Sequence, residues 1–314
     1  MQQTTNTILM IRPIAFRMNE QTAVNNYYQQ ELKEMLPAAI NRKAQIEFDD
    51  FVVKLKGVGV QVLVVNDTET PSTPDSIFPN NWISFHENGD VGLYPMFAKN
   101  RRLERREDIL EIIEENGFLI ENIIDYTEAE EEGVYLEGTG SMVLDRQNRI
   151  AYCALSPRAD EELFVEFCED FEYTPIVFTS NQTVNNKREA IYHTNVMMCV
   201  AEQFAIICLA SIDDKKERKN VLNHLKESGK EVIDITEKQL NAFAGNMLQV
   251  IGSENVRFLV MSSSAYTSLR LEQIQKIEKY NSIIHSSLET IETCGGGSAR
   301  CMMAEVFLPK STKG

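Results

Sequence analysis

The chain has 314 residues, 43% of them apolar and 25% charged, which is too hydrophobic and too poor in Pro and Gly for a disordered segment. Thirty-one Lys and Arg against 47 Asp and Glu leave a net charge of −16. That surface repels phosphate backbones and anionic lipid, and so argues against nucleic acid and membrane surfaces as partners.

The N-terminal run 7–11 (TILMI) reads as a strand with no helix before it. Segment 43–56 has helical spacing of Ile46, Phe48, Phe51, Val52 and Leu55, with Gly57 as its C-cap. A continuous apolar strand at 60–65 leads into P-D-S-I-F-P-N-N (74–81), then a hairpin of 82–85 and 91–94 around Asn88-Gly89. The same succession returns: a helix at 101–116, a strand at 118–124, the loop L-E-G-T-G (136–140) and a hairpin of 141–144 with 150–154. A third round has a helix at 160–171, a strand at 175–178, Y-H-T-N (192–195), then 196–200 and 204–210. A fourth has 213–228, 231–235, F-A-G-N (243–246), 247–251 and 256–261. The fifth has 271–280, 282–285, C-G-G-G-S-A-R-C (294–301) and a strand at 302–308, with no second hairpin strand.

Markers at Asn81, Glu137, His193, Asn246 and Cys301 are spaced by 56, 56, 53 and 55 residues. Strand–helix alternation at short loop lengths predicts an α/β fold. The constant period, with one orphan strand at the N-terminus, predicts a single domain over 1–314, a ring of five repeats closed by strand 7–11. Each marker loop follows the first strand of its repeat, so the five loops converge on one mouth.

The stretch 196–210 is interrupted by Glu202 and Gln203 and is shorter than the ~20 residues of a membrane span. The N-terminal MQQTTNTILMIRP has no basic region and too short an apolar run for a secretory signal. Six cysteines without a C-x-x-C pair read as reduced thiols, hence a cytoplasmic protein.

The residues collected at the mouth are Asn81, Glu137, His193, Asn195 and Cys301. A cysteine becomes a nucleophile beside a base or cation. A histidine gives a proton to a departing amine. A carboxylate holds a planar group rich in N–H donors. The set suits attack on the central carbon of a guanidinium or ureido group.

These segments resemble the pentein superfamily of amidinotransferases and arginine deiminases, most of all its citrulline-utilising hydrolases. The resemblance rests on P-D-S-I-F-P-N-N-W (74–82), L-E-G-T-G-S (136–141), Y-H-T-N-V-M-M (192–198) and G-G-G-S-A-R-C-M (295–302). It implies a five-bladed α/β-propeller of ββαβ units, Cys301 as nucleophile, His193 as general acid and base, and Glu137 as the carboxylate partner. Three positions depart from the family pattern: Asn81 and Asn195 stand where it carries aspartates, and Gly140 where an Asp closes its E-G-G-D motif. Amides donate and accept, so they suit a neutral ureido group better than a guanidinium. The expectation is therefore hydrolysis of citrulline to ornithine, carbon dioxide and ammonia, with Asn81 and Asn195 holding the substrate.

Three alternatives stay open. One is deimination or dihydrolysis of arginine or a substituted arginine. Another is amidino transfer, and the third a non-catalytic binding pentein of the ribosome anti-association type. A substrate carboxylate needs a cation; Arg158 is the expected one, with Arg101 and Arg102 as other candidates by position.

Cys294 is the rival thiol, without the Arg-Cys-Met context. Cys153, Cys168, Cys199 and Cys208 read as core residues, and His86, His224 and His285 as structural or solvated. No H-E-x-x-H, paired cysteines or acidic calcium loop is present, so no metal and no cofactor is expected. Gly295–Gly297 reads as a close backbone approach to substrate, and the acidic run 128–132 as a solvated loop. The partner expected is a small amino-acid-like substrate; oligomeric state leaves no mark.

Overall fold

The computed structural model describes residues 1–311. Its strands are β1 (Thr7–Arg12), β2 (Gln61–Asn66), β3 (Ile83–Phe85), β4 (Asp90–Leu93), β5 (Asn122–Asp125), β6 (Met142–Asp145) and β7 (Ile150–Leu155). They continue as β8 (Thr174–Thr179), β9 (Asn181–Val184), β10 (Lys187–Ala190), β11 (Met198–Val200), β12 (Phe204–Ile207) and β13 (Glu231–Asp234). The last four are β14 (Leu248–Ile251), β15 (Arg257–Ser262), β16 (Ser282–Ser286) and β17 (Ala304–Glu305).

Five three-stranded sheets share one plan: β3-β4-β5, β6-β7-β8, β11-β12-β13, β14-β15-β16 and β17-β1-β2. In each, the first two strands are antiparallel and the third is parallel to the second. Parallel neighbours need a crossover. Helices Asp108–Glu115, Glu161–Asp170, Lys215–Glu227, Leu271–Glu278 and Pro37–Gly57 supply one each. A sheet thus joins the hairpin of one sequence repeat to the strand that opens the next. β1, the strand without a helix before it, takes the middle place between the last strand and β2.

Several expected elements differ in extent. The first crossover helix starts at Pro37, whose missing N–H costs nothing in a first turn. It buries Ile40, Ala44, Phe48, Phe51, Val52 and Leu55, while Ile46, expected on the apolar face, stays 53% exposed. The left-handed residue after it is Gly59, not Gly57. The single helix expected over 101–116 is broken into a 3-10 turn, Arg101–Glu104, and the helix Asp108–Glu115. The break turns the Arg101 and Glu104 side chains inward, where both are buried.

The strand expected over 302–308 is cut to Ala304–Glu305, because Cys301 and Met302 lie in the 3-10 turn Ala299–Met302. One hairpin, β9–β10, falls outside the five-fold plan. Its turn carries Asn185 and Asn186 at positive φ, a backbone state that suits a tight hairpin. Among the described residues no helix is long and apolar enough to cross a membrane, and no group of three or more His, Cys, Asp or Glu is arranged to hold a metal ion.

The consequence for function is positional. The loops before β3, β6, β11, β14 and β17 carry Asp75–Asn81, Glu137, His193, Asn246 and Cys301 respectively. Each loop therefore enters the first strand of a hairpin.

Candidate active site

Glu137 precedes a single helical turn, Gly138–Ser141. Gly138 has φ +44, and a Cβ there would collide with the Asn80 carbonyl, so only glycine closes this turn. Ser141 Oγ accepts from the Glu137 N–H at 3.1 Å and donates to the Arg158 carbonyl at 2.7 Å. His193 precedes the turn Thr194–Met197 in extended backbone. The Thr194 hydroxyl donates to the Ser141 carbonyl and accepts from the Ala154 N–H, tying the two loops together.

Glu137 and His193 then meet. His193 Nε2 lies 2.7 Å from Glu137 Oε2, and Glu137 Oε1 accepts from the Phe97 N–H at 3.0 Å. Arg158 Nη1 at 3.5 Å and Arg101 Nη1 at 3.9 Å face the same Oε2. Burial pushes the carboxyl up, but Arg158, the His193 bond and Arg101 outweigh it and hold Glu137 at about 2. Burial pushes the imidazole down. The Glu137 bond opposes this, the two arginine charges add to it, and His193 rests at about 4. At neutral pH the pair is a carboxylate and a neutral imidazole. With Nε2–H donating to Glu137, Nδ1 keeps its lone pair.

Cys301 faces neutral dipoles instead. Asn246 Nδ2 donates to its Sγ at 3.2 Å and Asn195 Nδ2 at 3.6 Å. Asn246 is itself fixed: Nδ2 also donates to the Asn195 carbonyl at 3.0 Å, and Oδ1 accepts from the Arg300 N–H at 3.0 Å. Asn246, expected from sequence only as a spacing marker, is thus the side chain that joins the His193 loop to the Cys301 loop.

Asn81, His193, Arg158 and Cys301 line one cavity with Asp75, Phe78, Arg101 and Tyr192. Glu137, behind His193, is fully buried, and none of the six expected site residues is more than 2% exposed. Arg158 is in the site, but its donors are committed: Nε and Nη2 reach Asn25 Oδ1, Nη2 reaches the Thr22 carbonyl, and the guanidinium lies 4.8 Å from the Tyr192 ring centre. Asn81 Oδ1 accepts from Arg101 Nη1 at 2.7 Å. Arg102 pairs with Glu130 outside the cavity.

Two acids were not singled out by sequence. Glu104 holds Arg101 through Nε and Nη2, the shortest contact being 2.9 Å. Asp75 Oδ2 accepts from Asn19 at 2.8 Å and Thr22 at 3.1 Å, while Asp75 Oδ1 is buried without a partner. Burial raises Asp75 against the pull of Arg101. Burial raises Glu104 to about 8; Arg101 opposes that and the charges of Asp75 and Glu137 add to it. The cluster holds three carboxyl groups and two guanidiniums, and its excess acid shows as carboxyls that resist ionising. The P-D-S-I-F sequence carried the signal for Asp75: a lone Asp shortly before Ile77 and Phe78, in the loop that holds the Asn81 marker.

Gly140 explains its own departure from the family pattern. A Cβ there would sit 2.8 Å from His193 Cε1 and Nδ1 and would overlap Asn81 Nδ2. No side chain, Asp included, fits between these two groups. Two of the glycines expected to approach substrate, Gly295 and Gly297, line the cavity and also pack closely against protein. A Cβ at Gly295 or Gly297 would meet the Phe78 ring within 3 Å, and the Gly295 carbonyl accepts from Asn26 and Gln29. Cys294 ends a helix, is buried in the core, and does not line this cavity.

The fold is that of a pentein of the amidinotransferase and arginine-deiminase superfamily. A family model described as N,N dimethylarginine dimethylhydrolase, eukaryotic, matches residues 12–308, and the chain belongs to that family of hydrolases. Comparison with curated protein sequences gave no match.

Among solved structures, the chain is similar to ArgZ, an arginine dihydrolase from the ornithine–ammonia cycle in cyanobacteria, at 16% identity and a TM-score of 0.72. That match covers 98% of this chain and 41% of ArgZ, so the chain spans well under half of that protein. It is equally similar to the N-terminal domain of ArgZ bound to substrate, at 16% identity and TM-score 0.69, covering 96% and 99% of the two chains. A dimethylarginine dimethylaminohydrolase adduct with S-methyl-L-thiocitrulline matches at 13% identity and TM-score 0.59, covering 95% and 98%. At such identities the likeness shows the shared fold.

Proposed function

We propose that the chain is a cysteine hydrolase of the guanidino carbon–nitrogen bond in arginine or an arginine substituted on its terminal nitrogen. The observation that carries this is Asp75 Oδ1, which has no hydrogen-bond partner among the described residues, on a side chain that lines the cavity and belongs to a buried cluster of three carboxyl groups (Asp75, Glu104, Glu137) and two guanidiniums (Arg101, Arg158). Such a site attracts a cation rich in N–H donors, and a neutral ureido group leaves the excess acid unanswered. The citrulline expectation rested on two aspartates missing from the family pattern. Asp75 offers a carboxyl group to the same cavity from another position, and Glu104, raised to about 8, holds a proton that a bound cation can displace. The family model and the similarity to the substrate-bound arginine dihydrolase domain support the same reading.

The chemistry follows from the two protonation states. Neutral His193 accepts the Cys301 proton, and the thiolate, held by the Asn246 and Asn195 amides, attacks the guanidinium carbon. His193 returns the proton to the departing nitrogen, which leaves as ammonia or an alkylamine, and carbon stays bonded to sulfur. Water then loses a proton to His193 and adds to the carbon. The C–S bond breaks, sulfur regains a proton, and a ureido product is freed. Glu137 stabilises the imidazolium formed at each step. The five three-stranded sheets form the five blades of the ring, in this reading, and their hairpin-entry loops supply the groups.

Amine release from arginine, singly and doubly methylated arginine, and citrulline tests the proposal. Turnover of a guanidino substrate with citrulline inert as starting material is the expected result; efficient citrulline hydrolysis with every guanidino compound inert overturns it. Product analysis separates release of citrulline from onward hydrolysis to ornithine.

A further inference from the structure

β6 and β11 run from the catalytic loops at their N-terminal ends to a second cavity at their C-terminal ends. It is lined by Gln3, Arg146, Gln249, Arg300 and Glu305 with apolar residues of β6, β11 and β14, and shares no residue with the catalytic cavity. Arg146 is 2% exposed. Its Nη1 has no hydrogen-bond partner, and among the described residues it forms no ion pair. The acids near it are taken: Glu305 pairs with Arg300 at 2.8 Å and Asp145 with Lys230 at 3.3 Å. What Arg146 has is the Phe307 ring, 4.1 Å from its guanidinium carbon, and a hydrogen bond with the neutral Tyr173 hydroxyl. An aromatic face offsets only part of the cost of burying a cation, and a buried charge without a counter-charge is among the most destabilising arrangements a fold can hold. The charged lining counts two guanidiniums against one carboxylate, in a chain whose net charge is −16.

We propose that this cavity binds a small monovalent anion, chloride or a short carboxylate, whose charge completes Arg146. The site joins distant parts of the chain. Gln3 Oε1 accepts from the Arg146 N–H at 2.7 Å, and Gln3 Nε2 donates to the carbonyls of Leu144 and Val200. Phe307, over which Arg146 lies, comes from the C-terminal segment. An anion here clamps both chain ends to the second sheet and raises the stability of the whole fold.

The test is thermal unfolding of the full chain in sodium chloride, sodium bromide or sodium acetate against sodium gluconate, an anion too large for the cavity, at equal ionic strength. The small anions raise the midpoint saturably by about 2 °C or more, as a ligand bound only by the folded state does. Arg146→Met abolishes the difference. Crystals soaked in bromide show an anomalous peak beside Arg146 Nη1, a readout that stands even where the variant fails to fold. Equal midpoints in chloride and gluconate, or a bromide-soaked crystal with no peak at Arg146, overturn the proposal.

Discussion

The two sides of the catalytic cavity are built from different forces. On the imidazole side, His193 is fixed by a buried carboxylate at 2.7 Å, and two guanidiniums lie within 4 Å of that carboxylate. On the thiol side, the side-chain hydrogen-bond partners of Cys301 among the described residues are the amides of Asn195 and Asn246. The difference matches what each group does during turnover. Glu137 keeps one charge throughout, so strong fixed charges can surround it without opposing any step. Sulfur alternates between thiol, thiolate and bonded carbon, and a permanent cation against it would hold one of those states at the expense of the others. Neutral dipoles serve all three.

Substitutions break this contrast most sharply at its two poles. Cys301→Ala removes the atom that forms the covalent bond, and activity falls by roughly 10⁴-fold or more with circular dichroism unchanged. Activity near the wild-type level in that variant would exclude the nucleophile assignment. Glu137→Gln keeps the shape and removes the charge, so the imidazolium loses its counter-ion; turnover drops by roughly 10²–10⁴-fold. It also leaves Arg101 and Arg158 short of a counter-charge, and the unfolding midpoint falls with it. Gly140→Ala displaces His193 and Asn81 by steric overlap, and a misplacement near 1 Å costs about 10²-fold with little change in the midpoint.

Asn246→Ala strips one dipole from sulfur and detaches the Cys301 loop from the His193 loop. Loss of one hydrogen bond to a charged group is worth about 1.5–3 kcal/mol, or roughly 10–150-fold. The comparison sharpens if alkylation of Cys301 by iodoacetamide slows by a similar factor in Asn246→Ala and is unchanged in Asp75→Asn, which instead raises KM for guanidino substrates.

Much of the fold was legible in the sequence. Apolar runs, Asn88-Gly89 and the recurring helices marked the five-fold succession, because regular strands and hairpins depend on local chemistry that sequence carries directly. The loops lay at one regular interval, so Glu137, His193, Asn195 and Cys301 stood out together. What stayed hidden depended on the third dimension. β9 and β10 are polar on both faces (NQTV and KREA), so no alternation announces them. Arg101 and Glu104 sit in a stretch of helical composition, and only the inward turn of two charged side chains breaks that helix. Asp75 and Asn246 were in view as letters of motifs, but which atoms they face is a matter of how separate sheets pack.

The titrations give the smallest effects, and they test the charge balance directly. His193 at about 4 lies below its ordinary 6.5, so the unfolded chain takes up a proton first as pH falls, and stability is lost between 6.5 and 4. Glu137 at about 2, against an ordinary 4.5, adds a second loss as pH falls from 4.5 toward 2. Glu104 at about 8 has the opposite sign: its folded state holds a proton that the unfolded chain gives up above 4.5, so stability declines as pH rises from 4.5 toward 8. Glu104→Gln removes that upper decline and leaves the acid limb intact. A cation entering the cavity supplies the charge that this proton was supplying. Binding arginine to Cys301→Ala near pH 7 therefore releases a fraction of a proton, up to about one, measured by calorimetry in buffers of different ionisation enthalpy. Citrulline, with no charge to offer, releases none, and equal proton release by the two ligands would remove the electrostatic basis for preferring a guanidinium.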